Sequence, residues 1–189
     1  LYHARGRLTG DVGDYGRALE ALDRAIAIEA TYAPARTLHA LVLQVTHDFA
    51  GALSEAQTLY KEDPRQAQAL ATIGDSQLEL GDYMGAAKSY RELETLSRGP
   101  AITARLAHLA WLQGDAVQAE KLARQAHDEA GTAGTTGAGL GWYDYLAGMI
   151  AFQAGDLAEA ARWYNAAAAD WPDSYLVLAS QGRLAAADG

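Results

Sequence analysis

The sequence predicts an all-α solenoid in which antiparallel helix pairs follow one another along the chain. Three observations carry that prediction. A Gly-Asp step recurs as Gly13-Asp14, Gly81-Asp82, Gly114-Asp115 and Gly155-Asp156, with His47-Asp48 in the remaining slot, at intervals of 34, 34, 33 and 41 residues. A helical stripe precedes each step and another follows it, as with Leu70, Ile73, Gly74 and Gln77 before Gly81, and Ala86, Tyr90, Leu93 and Leu96 after it. Small residues keep the same register. Gly6, Ala40, Gly74, Ala107, Gly148 and Gly182 stand seven places before a turn (the last before Gly189), and Ala18, Ala52, Ala86, Ala119 and Ala160 stand five places after one.

Each element has a local reason. A turn glycine can take the left-handed conformation that ends a helix without a Cβ clash. The aspartate after it can cap the next helix by accepting from a free amide. Asp115-x-x-Gln118 and Asp156-x-x-Glu159 add the spacing of a capping box. Small residues at matched heights let two helices approach closely. Pro64 and Pro172 fall where a second helix should stop. Repeats are therefore expected at residues 1–31, 32–65, 66–99, 100–131 and 141–173, with a terminal helix at 174–189, all in one domain.

The 41-residue interval is the irregular one. Five glycines lie between Gly131 and Gly141, and each opposes a helix by roughly 1 kcal/mol relative to alanine. Residues 131–141 are expected to form a lengthened, mobile inter-repeat loop and a site of proteolytic nicking. Gly137-Ala138-Gly139-Leu140-Gly141 resembles a phosphate-cradling loop, but it follows a helix rather than a strand and lacks a Lys-Ser/Thr pair. The linker reading is preferred.

Composition limits the function classes. Half of the 189 residues are hydrophobic, enough for a sizeable core, and the net charge is −9. A uniformly acidic chain repels phosphate backbones and anionic lipid surfaces, so neither nucleic acid nor membrane is expected as a partner. The absence of cysteine removes disulfides and thiolate chemistry and fits a reducing, cytoplasmic compartment. No apolar run approaches the ~20 residues of a membrane span, and no signal-peptide pattern opens the chain. A start at Leu1 and a stop at Gly189 lead us to expect a segment of a longer protein. The histidines, His3, His39, His47, His108 and His127, have no metal-ligand spacing and read as surface or groove residues. Glu120 and Arg124 form a weak i, i+4 pair, and no serine sits in a nucleophile elbow. No catalytic residue, metal or cofactor is expected.

These turns and registers resemble the tetratricopeptide repeat. Gly13-Asp14-Tyr15 and Gly81-Asp82-Tyr83 match its Gly-Asp-Tyr turn, and His47-Asp48-Phe49, Gly114-Asp115-Ala116 and Gly155-Asp156-Leu157 are looser copies. The early aromatic of the first helix survives clearly only as Tyr2, and Ala30, Arg98 and Gly131 replace the closing proline in three repeats. The resemblance implies a right-handed α-solenoid of five repeats plus one further helix. It also implies a non-catalytic protein–protein interaction scaffold whose first helices line a concave wall. On that wall the residues ten, six and three places before each turn face inward. They are His3, Arg7 and Gly10; Thr37, Leu41 and Gln44; Ala71, Asp75 and Leu78; Ala104, His108 and Trp111; Tyr145, Met149 and Phe152; and Ala179, Arg183 and Ala186.

The aromatic residues concentrate late in the chain. Trp111, Trp142, Tyr145, Met149 and Phe152, with His108 and Arg183 at the edge, form the candidate site for a peptide or partner domain. The competing reading is that they pack against a neighbouring repeat. The lysine and asparagine clamp with which some family members hold a chaperone's C-terminal carboxylate is absent, since the only asparagine, Asn165, lies on a second helix. Chaperone-tail recognition of that kind is not expected. Two alternatives stand beside the scaffold: a docking or regulatory segment of a larger enzyme, and end-to-end self-association through an uncovered terminal helix.

Overall fold

The computed structural model describes Tyr2, His3, Arg5 and residues 11–188. Gly6, Arg7, Gly10 and Gly189, all used in the sequence frame, lie outside the described residues. Among those described, ten helices are bounded and no strand occurs. They are α1 Val12–Ile28, α2 Ala33–Val45, α3 Phe49–Glu62, α4 Ala67–Glu79, α5 Tyr83–Leu96, α6 Pro100–Leu112, α7 Ala116–Thr132, α8 Ala138–Gln153, α9 Leu157–Asp170 and α10 Tyr175–Asp188.

Four of the five expected turns are built alike. After α4 the Asp82 amide donates to the Gln77 carbonyl (2.8 Å) and the Gly81 amide to Leu78 (3.0 Å). This is the paired pattern that satisfies a helix's last carbonyls around a left-handed residue. The same two bonds recur around His47, Gly114 and Gly155. The three glycines have φ of 83°, 83° and 84°, and His47 has φ 64°. Asp48, Asp82, Asp115 and Asp156 then accept from the amides of Gly51, Gly85, Gln118 and Glu159 at 2.9 to 3.0 Å.

His47 is the one non-glycine residue with positive φ among those described. A Cβ in this region costs on the order of 1–2 kcal/mol, offset in part by its edge-on contact with the Phe49 ring at 5.5 Å. Replacing His47 with glycine should therefore stabilise the protein by about 1 kcal/mol, measurable as a higher denaturation midpoint. An unchanged or lower midpoint would remove the strain argument.

Gly13-Asp14 does not form the turn its sequence suggests. Both residues lie inside α1, and the cap is Asp11, whose Oδ1 accepts from the Gly13 amide at 2.9 Å. Asp11 is an equally good cap three residues before Asp14, and Asp14 is taken by arginines instead. Fully buried, Asp14 accepts from Arg5 Nε at 2.5 Å and Arg17 Nη1 at 2.9 Å, with a second contact to Arg5. The Arg5 hydrogen bond is the main cause holding the Asp14 carboxyl at about 2, below its ordinary 3.8. A depressed carboxylate contributes stability that is present above the ordinary value and lost as pH falls through the folded one. Wild-type protein should lose stability between about pH 4 and 2, and Asp14→Asn should flatten that part of an acid unfolding curve. Equal slopes would contradict the assignment.

The glycine-rich segment is also corrected. Helix α7 runs through Thr132 and α8 begins at Ala138, so only residues 133–137 lie outside helix rather than the whole of 131–141. Gly134 and Gly137 have φ of 76° and 56°. Thr135 and Gly134 donate to Ala130 and Gly131, closing α7 with the same motif as the other turns. Gly141 serves close approach, because a Cβ there would lie 2.9 Å from Trp171 Cβ and 3.1 Å from the Ala167 carbonyl. The additional residues lengthen the helices: α7 has 17 residues and α8 16, against 13 or 14 for α2 to α6.

Contacts divide the chain into two compact units, residues 1–97 and 98–189, where the sequence frame treated 1–189 as one domain. In the first unit α1 to α5 pack in chain order, and α2 also reaches α4. Gln44 Nε2 donates to the Thr72 carbonyl and to Ser76 Oγ, both at 3.2 Å, tying those first helices together. In the second unit α6 to α10 pack in chain order, α6 reaches α8 and α8 reaches α10. Each unit thus has the stacking of a helical repeat solenoid.

Packing within a repeat follows a size rule. Where the small residue of the first helix is glycine, a tyrosine of the second helix fills the space. Tyr90 lies where a Cβ on Gly74 would go, and Tyr164 Cδ1 would be 2.6 Å from a Cβ on Gly148. Where that residue is alanine, as at Ala107, the tyrosine's register position holds alanine, Ala123, and both lie in the same buried cluster. Tyr90 and Tyr164 are the largest fully buried side chains described.

Candidate partner-binding face

All seven candidate residues belong to the second unit, on its three first helices α6, α8 and α10. Trp111 and Met149 are half-buried and pack against a core of Ala104, Ala107, Ala110, Ala119, Ala123, Ala126, Leu146, Ala147 and Ile150. Tyr145 and Phe152 are half-buried against a neighbouring cluster of Ala151, Ala160 and Tyr164. The Tyr145 and Tyr164 rings lie 6.3 Å apart. Four of the candidates are therefore anchored on one side and partly open on the other. Trp142 is 41% exposed and meets the Tyr143 ring edge-on at 5.0 Å. His108 is half-buried. Arg183 is exposed and donates to Ser180 Oγ at 2.8 Å.

Other members of the expected inward stripe sit deeper. Ala71, Leu78 and Ala104 are buried, and Asp75 accepts a hydrogen bond from Tyr90 Oη at 2.9 Å.

The sequence frame missed a polar cluster on the other side of α8. Asp144, 1% exposed, faces α7, where its Oδ1 lies 2.6 Å from His127 Nδ1; neither atom has another hydrogen-bond partner. Burial pushes the Asp144 carboxyl above its ordinary range, opposed by His127. The His127 ring meets Trp163 edge-on at 5.1 Å. Trp163 Nε1 donates to Glu159 (2.9 Å), which also pairs with Arg124 at 3.2 Å and with Arg162. The capping box at Asp156 is thus only half made: Asp156 caps, while the Glu159 carboxylate turns to these partners. Arg124 is nearer to Glu159 than to Glu120, which is 3.8 Å away.

Two of the histidines read as surface or groove residues are instead packing residues. Besides His127, His39 lies between Glu55 Oε2 (2.5 Å) and Asp23 Oδ1 (3.3 Å), joining α2 to α3 and α1. A buried acid between Tyr143 and Tyr145 in an apolar helix was the signal available, since such a group requires a partner. No group of three potential metal ligands occurs among the described residues, and no described helix is long and apolar enough to cross a membrane.

Stacked helix pairs with glycine-closed turns and an alanine-rich interior define a helical-repeat protein. The tetratricopeptide repeat family model matches residues 37–100, 71–133 and 143–175, and the chain belongs to that family. Its fold is similar to that of TTC0263, a thermophilic tetratricopeptide repeat protein of Thermus thermophilus (TM-score 0.81, 19% identity, covering 97% of this chain and 95% of that one). It is also similar to a tetratricopeptide repeat protein of Parabacteroides merdae (TM-score 0.78, 17% identity, 97% and 69% covered). YrrB, a repeat protein with an unusual peptide-binding site, shares the fold at TM-score 0.55 and 16% identity, with 90% and 84% covered. No curated protein matches the chain by sequence. The family's fold is generally a non-catalytic scaffold for protein–protein interaction.

Proposed function

We propose that the first-helix face of the second unit is a docking surface for a peptide segment of a partner protein. The observation that carries this reading is the state of Trp111, Tyr145, Met149 and Phe152, held from beneath by the alanine core yet still partly open, with exposed Trp142 beside them. Anchored aromatic and methionine side chains bury large area on binding while losing little further freedom. The peptide site reported for YrrB lends the reading support by analogy of fold alone.

The test is a display selection of random peptides on the intact chain, followed by affinity measurements on the selected sequences. Trp142→Ala should weaken them by about 2 kcal/mol, roughly thirtyfold, and Trp111→Ala with Tyr145→Ala should abolish binding, all with unchanged helical circular dichroism. Undiminished affinity in Trp142→Ala would remove this face from consideration.

A further inference from the structure

We infer that this face takes an acidic-apolar segment, with side-chain carboxylates flanking an apolar anchor; the inference rests on the docking role proposed above. The argument is charge complementarity. The chain carries net charge −9, yet its acids avoid the first helices of the second unit. Helix α6 has none, α8 has only Asp144, and α10 has only Asp188 at its last residue. Asp144 is buried on the opposite side against His127. Glu120, Asp128, Glu129, Glu159 and Asp170 lie on the second helices α7 and α9, and Asp115, Asp156 and Asp173 lie in the turns.

Register then sets a pattern. His108, Met149 and Arg183 each stand six places before a turn position, on three first helices that touch in succession. The row across the face reads imidazole, apolar, guanidinium. Arg183 is exposed and donates from Nη2 to neutral Ser180, which leaves further guanidinium donors for a carboxylate. Half-buried Met149 lies between, with Tyr145 and Phe152 on its own helix to either side. Helices at about 8–10 Å put α6 and α10 on the order of 20 Å apart, about six residues of extended chain at roughly 3.3 Å each.

The probes are acetylated, amidated seven-residue peptides with a central leucine and glutamate, glutamine or lysine at both ends. Amidation removes the terminal carboxylate, so any preference reports side-chain charge. On the intact protein the glutamate peptide should bind at least tenfold tighter than the glutamine one and weaken with salt. Arg183→Glu should erase that preference and improve the lysine peptide, a gain that a misfolded variant would not give. Trp142→Ala should weaken the glutamate and glutamine peptides alike. Equal binding of all three peptides, or none, overturns the charge assignment. If the peptides bind equally but still lose affinity with Trp142→Ala, the docking face stands and only its charge preference falls. If the glutamate preference survives Arg183→Glu, the carboxylates are read elsewhere.

Discussion

Tyr164→Ala is expected to destabilise the second unit by about 3–5 kcal/mol, the range for truncating a buried aromatic side chain. Tyr164 is 1% exposed, and its ring fills the space left by Gly148 while packing with Ala151 and Ala160. The complementary change is Gly148→Ala, whose new methyl would sit 2.6 Å from the ring. Overpacking of that kind costs about 1–3 kcal/mol. Because both changes act on one contact, they should not add. The double variant should be less destabilised than the sum of the two, since the methyl partly fills the cavity left by the ring. Chemical denaturation of the four proteins gives the coupling directly. Strict additivity would mean that the glycine and the tyrosine do not share this space, and the size rule of the repeat would fail with it.

The second large effect concerns Asp144. His127→Leu should cost about 3–5 kcal/mol at neutral pH, because it leaves the buried Asp144 carboxyl without the partner 2.6 Å away. Double replacement with Asp144→Leu should recover much of that loss. The pH dependence has a definite sign. Burial raises the folded pKa of Asp144, so the stability linked to this group is fully present below the ordinary carboxylate value and is lost as pH rises through the folded one. In His127→Leu the histidine no longer opposes that rise. The variant's deficit should therefore shrink as the pH is lowered toward about 4. A deficit that stays constant from neutral to acid would show that His127 acts through packing on Trp163 rather than through charge.

The legibility of the fold varied with how local its determinants are. The turns at Gly81, Gly114 and Gly155 could be read because a left-handed residue followed by a capping aspartate is a requirement of three or four consecutive residues. The same signature misled at Gly13, where Asp11 offers a competing cap and distant Arg5 claims Asp14. Glycines 131 and 141 argued for a loop on propensity, at roughly 1 kcal/mol each. Burial of Ala130 and close approach of Gly141 to the end of α9 outweighed that preference. Of the candidate face, the identities and helix positions of Trp111, Trp142, Tyr145, Met149 and Phe152 were legible. The division of Trp111 and Met149 from Tyr145 and Phe152 between two core clusters was not, because it depends on contacts between helices far apart in sequence. The Asp144–His127 pair spans two helices and seventeen positions, beyond the reach of any periodicity.

The four tryptophans provide the sharpest test of the docking face, since Trp111 and Trp142 lie on first helices, Trp163 on a second helix and Trp171 beyond its end. The measurement is the indole N–H spectrum of nitrogen-15-labelled protein titrated with a selected peptide. Binding on the first-helix face predicts saturable shifts of the Trp111 and Trp142 indoles, with Trp163, hydrogen-bonded to Glu159, unmoved. Shifts at Trp163 with Trp111 and Trp142 unchanged would place the ligand on the opposite side of the repeats and contradict the account.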